Sequence, residues 1–342
     1  MTRVFSGIQP TGSVHLGNLL GALRHWPVAQ HEGESLFCVV DLHALTVPQD
    51  PAELRAATLQ LAQLLLAVGI DPESSTLFIQ SHVPEHAQLA WLMQCTASYG
   101  ELRRMTQFKD KSESSEFVSG GLLTYPTLMA ADILLYDIDR VPVGDDQRQH
   151  LELTRDLAIR YNSRYGKGLP NDRVFVVPEA AIPPVGARVM DLQHPTRKMS
   201  KSADSPLGTV LVLDDLDEVA KKFKKAVTDT DNEVRYDPET KPGVSNLLTI
   251  YSALTGRTVQ SLVEEYDGKG YGDLKTAVGD EVAEWLTPVR ERYNELRADD
   301  DRLEQILEAG ADKARAIAAP IVAEVREVMG VGPVKRSVGP AA

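Results

Sequence analysis

The alternation of short β-rich apolar runs with longer runs of helical period, in the first half of the chain, constrains the fold more than any other feature. Arg3 to Ile8, Leu36 to Val40 and Thr76 to Gln80 read as three strands. Between the last two, Leu54, Ala57, Leu61, Leu64, Leu65 and Val68 recur at three- and four-residue intervals, opening after Pro51 and closing at Gly69. That spacing predicts an amphipathic helix with a proline start and a glycine stop. The result is a βαβ unit, and its repetition gives a parallel sheet covered by helices on both faces. A helix around Thr127 to Tyr136 leads into a strand from Arg140 to Gly144, Gln147 to Tyr165 is again helical, and Val174 to Val177 supplies a late strand. The polar, Ser/Glu/Lys-rich stretch from Tyr99 to Gly121 breaks the alternation and reads as an insertion, a candidate for mobility.

After Arg188 a polar loop gives way to helical segments, with Leu247, Leu248, Tyr251 and Leu254 marking one face and Ile317, Ile321, Val325 and Val328 another. A chain of 342 residues exceeds the usual single core, so two cooperating units are expected. The expected boundaries are 1–190 for the α/β unit with an insertion at about 99–121, 191–205 for a mobile loop, and 206–342 for a helical unit. The last helix is a candidate to pack back on the first unit, and Gly330 to Ala342 reads as a frayed tail.

The composition, 43% hydrophobic and 25% charged, is that of a soluble protein, and no stretch approaches the roughly 20 apolar residues that span a bilayer. The N-terminus enters an apolar run without the basic opening or cleavage site of a signal peptide, so a cytoplasmic location is expected. Cys38 and Cys95 form no CxxC or Cys/His cluster; they are expected to be buried free thiols, with no disulfide, zinc or iron–sulfur site. A net charge of −13 argues against non-specific nucleic-acid binding and leaves any RNA contact to local patches.

The first strand runs into Gly7-Ile8-Gln9-Pro10-Thr11-Gly12-Ser13-Val14-His15-Leu16-Gly17-Asn18, and a helix follows through Leu19, Leu20, Leu23 and Trp26. Such a turn presents backbone N–H groups to phosphate, although it is neither GxGxxG nor a P-loop. Alone it reads equally as a helix start with a surface histidine. A second motif, Lys198-Met199-Ser200-Lys201-Ser202, stands far along the chain in a polar loop. The pair resembles the His-Ile-Gly-His and Lys-Met-Ser-Lys-Ser signatures of class I aminoacyl-tRNA synthetases, with Asn18 in place of the second histidine and the second signature unsubstituted.

This resemblance implies a Rossmann-like nucleotide-binding domain, with ATP and Mg²⁺ as the substrate complex. It assigns ATP contacts to Gln9, Pro10, Thr11, Gly17, Asn18, Gly144, Asp145, Asp146, Val189, Lys198, Met199, Ser200, Lys201 and Ser202. Lys198 and Lys201 would counter charge on the phosphoryl oxygens, His15 and Asn18 would donate to the triphosphate, and Gly17 would let adenine approach the helix backbone. Ser200, Ser202 and Asp204 suit a loop that closes over ATP and reopens. Lys111, in Met105-Thr106-Gln107-Phe108-Lys109-Asp110-Lys111, is a fourth catalytic candidate beside His15, Lys198 and Lys201, although a solvent-facing role explains it equally.

In Leu128-Met129-Ala130-Ala131-Asp132-Ile133-Leu134-Leu135-Tyr136 one carboxylate interrupts an apolar helical run, and burial obliges Asp132 to have a partner. The partner is either a structural one or a ligand such as an indole N–H, a lone donor that a carboxylate matches. The surrounding Gly121 to Tyr136 resembles the bacterial tryptophanyl family. By that resemblance Phe5, Val40, Met129, Val141 and Val143 wall an amino-acid pocket, and Tyr125 and Gln147 hold the ammonium or carboxylate. His43 would sit at the cleft edge, where a core histidine is the alternative, and Gly144-Asp145-Asp146-Gln147 would meet the ribose. Asp145, often Glu in the family, is a departure.

Lys241-Pro242-Gly243-Val244-Ser245-Asn246-Leu247-Leu248 resembles the start of the family's anticodon-recognising region, and the likeness covers most of residues 1–330. It implies L-tryptophan, ATP and tRNA(Trp) as partners, no membrane, and a homodimer binding tRNA across subunits. Lys221-Lys222-Phe223-Lys224-Lys225 could meet RNA phosphates, but the nearby acids favour a solvated helix face. Three rivals are weaker: a tyrosyl-tRNA synthetase, which needs groups that satisfy a phenol as donor and acceptor and against which Asp132 in its apolar run argues; a catalytically reduced relative acting as a tryptophan-, RNA- or protein-binding regulator, against which intact Lys198, Lys201, His15 and Asp132 argue; and a small-molecule nucleotidyltransferase, which would not need the helical half.

Overall fold

The computed structural model describes residues 3–113, 117–142, 147–181, 187–200 and 205–332, without the side chains of Lys111 and Glu113. Strand β1 (Arg3–Ile8) is followed by α1 (Leu16–Gly21) and α2 (Trp26–Ala29), then β2 (Glu34–Val39), α3 (Asp41–Ala44), α4 (Pro51–Val68) and β3 (Thr76–Ile79). Helices α5 (Glu85–Thr96), α6 (Tyr99–Arg103), α7 (Thr106–Glu113) and α8 (Gly120–Leu134) lead to β4 (Arg140–Pro142), and α9 (Arg148–Tyr165) leads to β5 (Glu179–Ala181). The rest is helical: α10 (Leu216–Lys224), α11 (Pro242–Thr255), α12 (Val259–Glu265), α13 (Tyr271–Arg297) and α14 (Asp300–Val328).

The five strands form one parallel sheet in the order β3-β2-β1-β4-β5. Strand order therefore reverses beside β1, the switch point at whose carboxyl ends sheets of this kind bind their ligands. Alternate residues of each strand enter opposite cores, because the side-chain period of a strand is two. Phe37, Val39, Leu77 and Ile79 join α1, α4, α10, α11 and α13 on one face; Leu36, Cys38, Val40 and Phe78 join α5, α8 and α9 on the other. Helix α14 serves both, giving Leu303 and Leu307 to the first core and Ala311, Ala314, Ala318, Val322 and Val325 to the second. In passing it covers β3, the edge strand, whose backbone would otherwise be open to pairing.

Local signals fix several elements. Asp50 caps α4, accepting from Ala52 and Glu53 N–H at 2.9 and 3.0 Å, Pro51 fills the first turn, and Gly69 ends it at φ 120°. Helix α8 begins earlier than the sequence predicts, because Ser119 accepts from Leu122 N–H at 3.0 Å and sets the start at Gly120. The described part of residues 99–121 is largely helical, with α6 opened by a Ser98/Glu101 capping box.

Three expectations are corrected. Val174 to Val177 is not a strand: Asn162 on α9 accepts from Val174 and Phe175 N–H, both at 2.9 Å, and donates to Phe175 C=O at 2.8 Å, taking the backbone groups a neighbouring strand would need. The fifth strand is Glu179–Ala181 instead. Cys38 is buried, but Cys95 is exposed on α5. Lys222 is not part of a solvated face; it is buried and donates to Thr209 C=O at 2.8 Å and to Asp214 at 2.5 Å, while Lys221, Lys224 and Lys225 are exposed.

Candidate active site

Asp132 on α8 is 2% exposed, and its two oxygens accept from three side chains. Oδ1 receives Gln80 Nε2 at 2.7 Å and His86 Nδ1 at 2.6 Å; Oδ2 receives His43 Nε2 at 2.8 Å. Burial by itself would raise this carboxyl, but the electropositive rings of His43 and His86 and the hydrogen bonds they donate outweigh it and hold the group well below the ordinary carboxylate range. The donors are themselves oriented. Gln80 Oε1 accepts from Leu42 N–H at 3.1 Å, which fixes the direction of its amide, and His86 Nε2 lies 2.7 Å from the Tyr136 hydroxyl.

Four of the apolar residues predicted to wall a pocket belong to, or pack against, the core that α8 enters. Phe5, Val40 and Val141 are buried in the same core as α8, and Met129 packs half-buried against it. Phe5 stacks on Tyr136 with ring centroids 5.9 Å apart and planes at 11°. Tyr125, one turn of α8 before Met129, donates to Gln107 Oε1 at 3.1 Å, lies 2.6 Å from His150 Nε2 and meets the His43 ring edge-on at 6.3 Å. Gln147 stands at the N-terminal flank of α9 and is half-buried. Gln80, His86, Tyr136, Gln107 and His150 were not singled out by sequence reasoning. The one available signal was position: Gln80 and His86 closely follow the carboxyl end of β3.

The two signatures meet on the other side of β1. His15 caps α1 with extended backbone (φ −107°, ψ 166°): its Nδ1 accepts from Asn18 N–H at 3.3 Å while Asn18 Oδ1 accepts from His15 N–H at 3.2 Å. This reciprocal capping box explains what Asn does in place of a second histidine. A Cβ added to Gly17 would stand 3.0 Å from His15 Nδ1 and 3.7 Å from Met199 Cβ, so the first helix turn and the second signature are in contact across a glycine. The backbone joins them as well, through Leu16 N–H to Val210 C=O at 2.8 Å and Val212 N–H to Val14 C=O at 2.9 Å.

Residues 191–200 are tied at several points. Asp191 is buried and accepts from Gln193 and His194 N–H at 2.7 and 2.8 Å, turning the chain back so that Lys198 bridges Met190 and Met199 N–H reaches Val189 C=O at 3.1 Å. Asn246 of α11 clasps Met190, accepting its N–H at 2.8 Å and donating to its C=O at 2.9 Å. Lys198 is exposed and Ser200 half-buried, whereas Val189 and Met199 are buried in the core. Of the other nucleotide candidates, Pro10 is buried, Thr11 half-buried and Gln9 exposed. The Lys111 side chain, Val143, Gly144, Asp145, Asp146, Lys201, Ser202 and Asp204 lie outside the described residues.

The sheet order and the paired signatures define a class I synthetase, and the family model described as tRNA synthetases class I (W and Y) matches residues 1–287. The chain is 55% identical over 97% of its length to the tryptophan–tRNA ligase 2 of Streptomyces avermitilis, of which 98% is covered. Among solved structures, the tryptophanyl-tRNA synthetase of Mycoplasma pneumoniae superposes with a TM-score of 0.85 at 38% identity, covering 97% of this chain and 98% of that one. That of Campylobacter jejuni, solved with ADP and tryptophan, gives 0.83 at 34% identity, covering 96% and 100%. The chain belongs to the bacterial tryptophan–tRNA ligases of the class I synthetase family.

Proposed function

We propose that the chain activates L-tryptophan with ATP, releasing pyrophosphate, and then transfers the tryptophanyl group to tRNA(Trp), releasing AMP. The observation that carries the amino-acid assignment is the buried Asp132, whose charge is kept by three donors. A carboxylate oxygen accepts two hydrogen bonds, and Oδ2 receives one, so the group has capacity for the indole N–H. Phenylalanine would leave that position unpaired, which is how a polar site rejects an apolar analogue. Phe5, Val40, Met129, Val141 and Val143 wall the indole, and Tyr125 and Gln147 hold the amino-acid ammonium and carboxylate.

In the first step a carboxylate oxygen of tryptophan attacks the α-phosphorus, and the bond from that phosphorus to the oxygen bridging to the β-phosphate breaks. Catalysis is then mainly positioning and charge stabilisation. His15 and Asn18, oriented by their capping box, donate to the triphosphate, with Lys198, Lys201 and Lys111 as its counter-charges. Mg²⁺ enters as part of the ATP complex, held through phosphate oxygens. The protein acts as a homodimer. Supporting this, Trp91, Tyr99 and Ile159 are exposed on α5, α6 and α9, which Arg160 draws together through Thr96 C=O and Glu101, both at 3.0 Å. Sedimentation of the wild-type chain reads the state directly, and a monomer would remove this part of the proposal.

The test of the pocket is Asp132→Asn in ATP–pyrophosphate exchange. The expected result is a fall in kcat/KM for tryptophan of about 10- to 100-fold, the worth of a hydrogen bond to a charged group, with discrimination against phenylalanine reduced and the KM for ATP little changed. Unchanged discrimination would refute the assignment.

A further inference from the structure

We propose that Tyr136 and His86 are positioning residues for amino-acid selection: Tyr136 holds His86 in the ring tautomer that donates to Asp132, and this keeps the carboxylate oriented as an acceptor for the indole N–H. The proposal rests on the Asp132 reading above and goes one layer behind it. A neutral imidazole has one donor and one acceptor nitrogen, and which is which depends on its neighbours. Here the neighbours differ in kind. Nδ1 faces a carboxylate oxygen at 2.6 Å and Nε2 faces a phenol oxygen at 2.7 Å. The carboxylate can only accept, so Nδ1 carries the hydrogen, and in the neutral ring the Tyr136 hydroxyl donates to Nε2. Reversing the tautomer would set a lone pair against the carboxylate.

Both side chains are fully buried, so water cannot stand in for either. Burial also pushes the Tyr136 phenol up, which keeps it a hydrogen donor. The Tyr136 ring is fixed in place by stacking on Phe5 and by an edge contact with Phe78 at 5.9 Å, so the hydroxyl has little freedom to turn away. One ring thus supports both a proposed pocket wall, Phe5, and the acceptor that reads the indole nitrogen.

The experiment compares tryptophan with β-(3-benzothienyl)alanine, which has sulfur where indole has N–H, in ATP–pyrophosphate exchange by the wild type, Tyr136→Phe and Asp132→Asn. Tyr136→Phe is expected to lower the kcat/KM ratio of tryptophan to the thienyl analogue about tenfold, the worth of one well-placed hydrogen bond, through the KM for tryptophan. Rates with the analogue and the KM for ATP should hold. Equal losses on both amino acids would mean a merely structural role and overturn the proposal. If Asp132→Asn lowers the ratio and Tyr136→Phe does not, this proposal fails and the indole reading stands; if Asp132→Asn leaves the ratio unchanged, the indole reading fails and takes this proposal with it. Nitrogen NMR of the wild-type chain tests the tautomer without any substitution: His86 should be protonated at Nδ1 and bare at Nε2, and a protonated Nε2 would overturn the assignment.

Discussion

Asp132 is the residue where chemistry and stability are most tightly joined. Its partners His43, Gln80 and His86 stand 89, 52 and 46 residues away in the chain, so a reading of the local helix shows that a buried carboxylate must be paired without showing by what. The alternatives left open by the sequence, structural partner or ligand acceptor, turn out not to exclude each other: three protein donors leave capacity for a fourth. The carboxyl sits below its ordinary value of 3.8, against the pull of burial, because of the two histidines. A folded-state value lower than the unfolded one stabilises the native chain above the ordinary value, and that contribution is lost as pH falls through it toward the folded value. The difference in urea stability between wild type and Asp132→Asn should therefore be largest near neutral pH and shrink below about pH 4. A difference that does not vary with pH would show that the network holds no such charge.

Elements defined by adjacent residues were legible in the sequence; elements defined by distant ones were not. Strand β1 and helix α4 follow the predicted bounds because Asp50, Pro51 and Gly69 write the ends of α4 locally. The fifth strand was misplaced because one side chain, Asn162, decides the fate of Val174 and Phe175 from across the fold. Helix α14 carries another long-range instruction. Gly310 lies in its interior, where glycine ordinarily costs stability, and no sequence signal says why it is there. A Cβ at this position would overlap the Leu77 carbonyl of β3, so the glycine lets the helix cross the sheet edge at close range. Gly310→Ala, favourable by helix propensity alone, should instead destabilise the chain by about 1–3 kcal/mol, as overpacking does. Urea unfolding checks it, and an unchanged or raised midpoint would contradict the close crossing.

Across the whole molecule, the parallel sheet brings together signatures that are far apart in the chain. The turn after β1 and the segment after Lys198 pair through Leu16 and Val210, Gly17 touches Met199, and α11 of the helical half clasps the same segment through Asn246 and Met190. Met190 and Asn246 also line a cavity of about 670 Å³ between that segment and α11, so the anchored loop borders open space. The sequence motifs announced the site; the clasp by Asn246 had no local pattern to announce it. This assembly activates tryptophan. ATP–pyrophosphate exchange with tryptophan, tyrosine and phenylalanine in parallel, without tRNA, tests it most directly: exchange driven by tryptophan alone is the predicted result, and exchange driven by tyrosine, or none at all from folded protein, would contradict it.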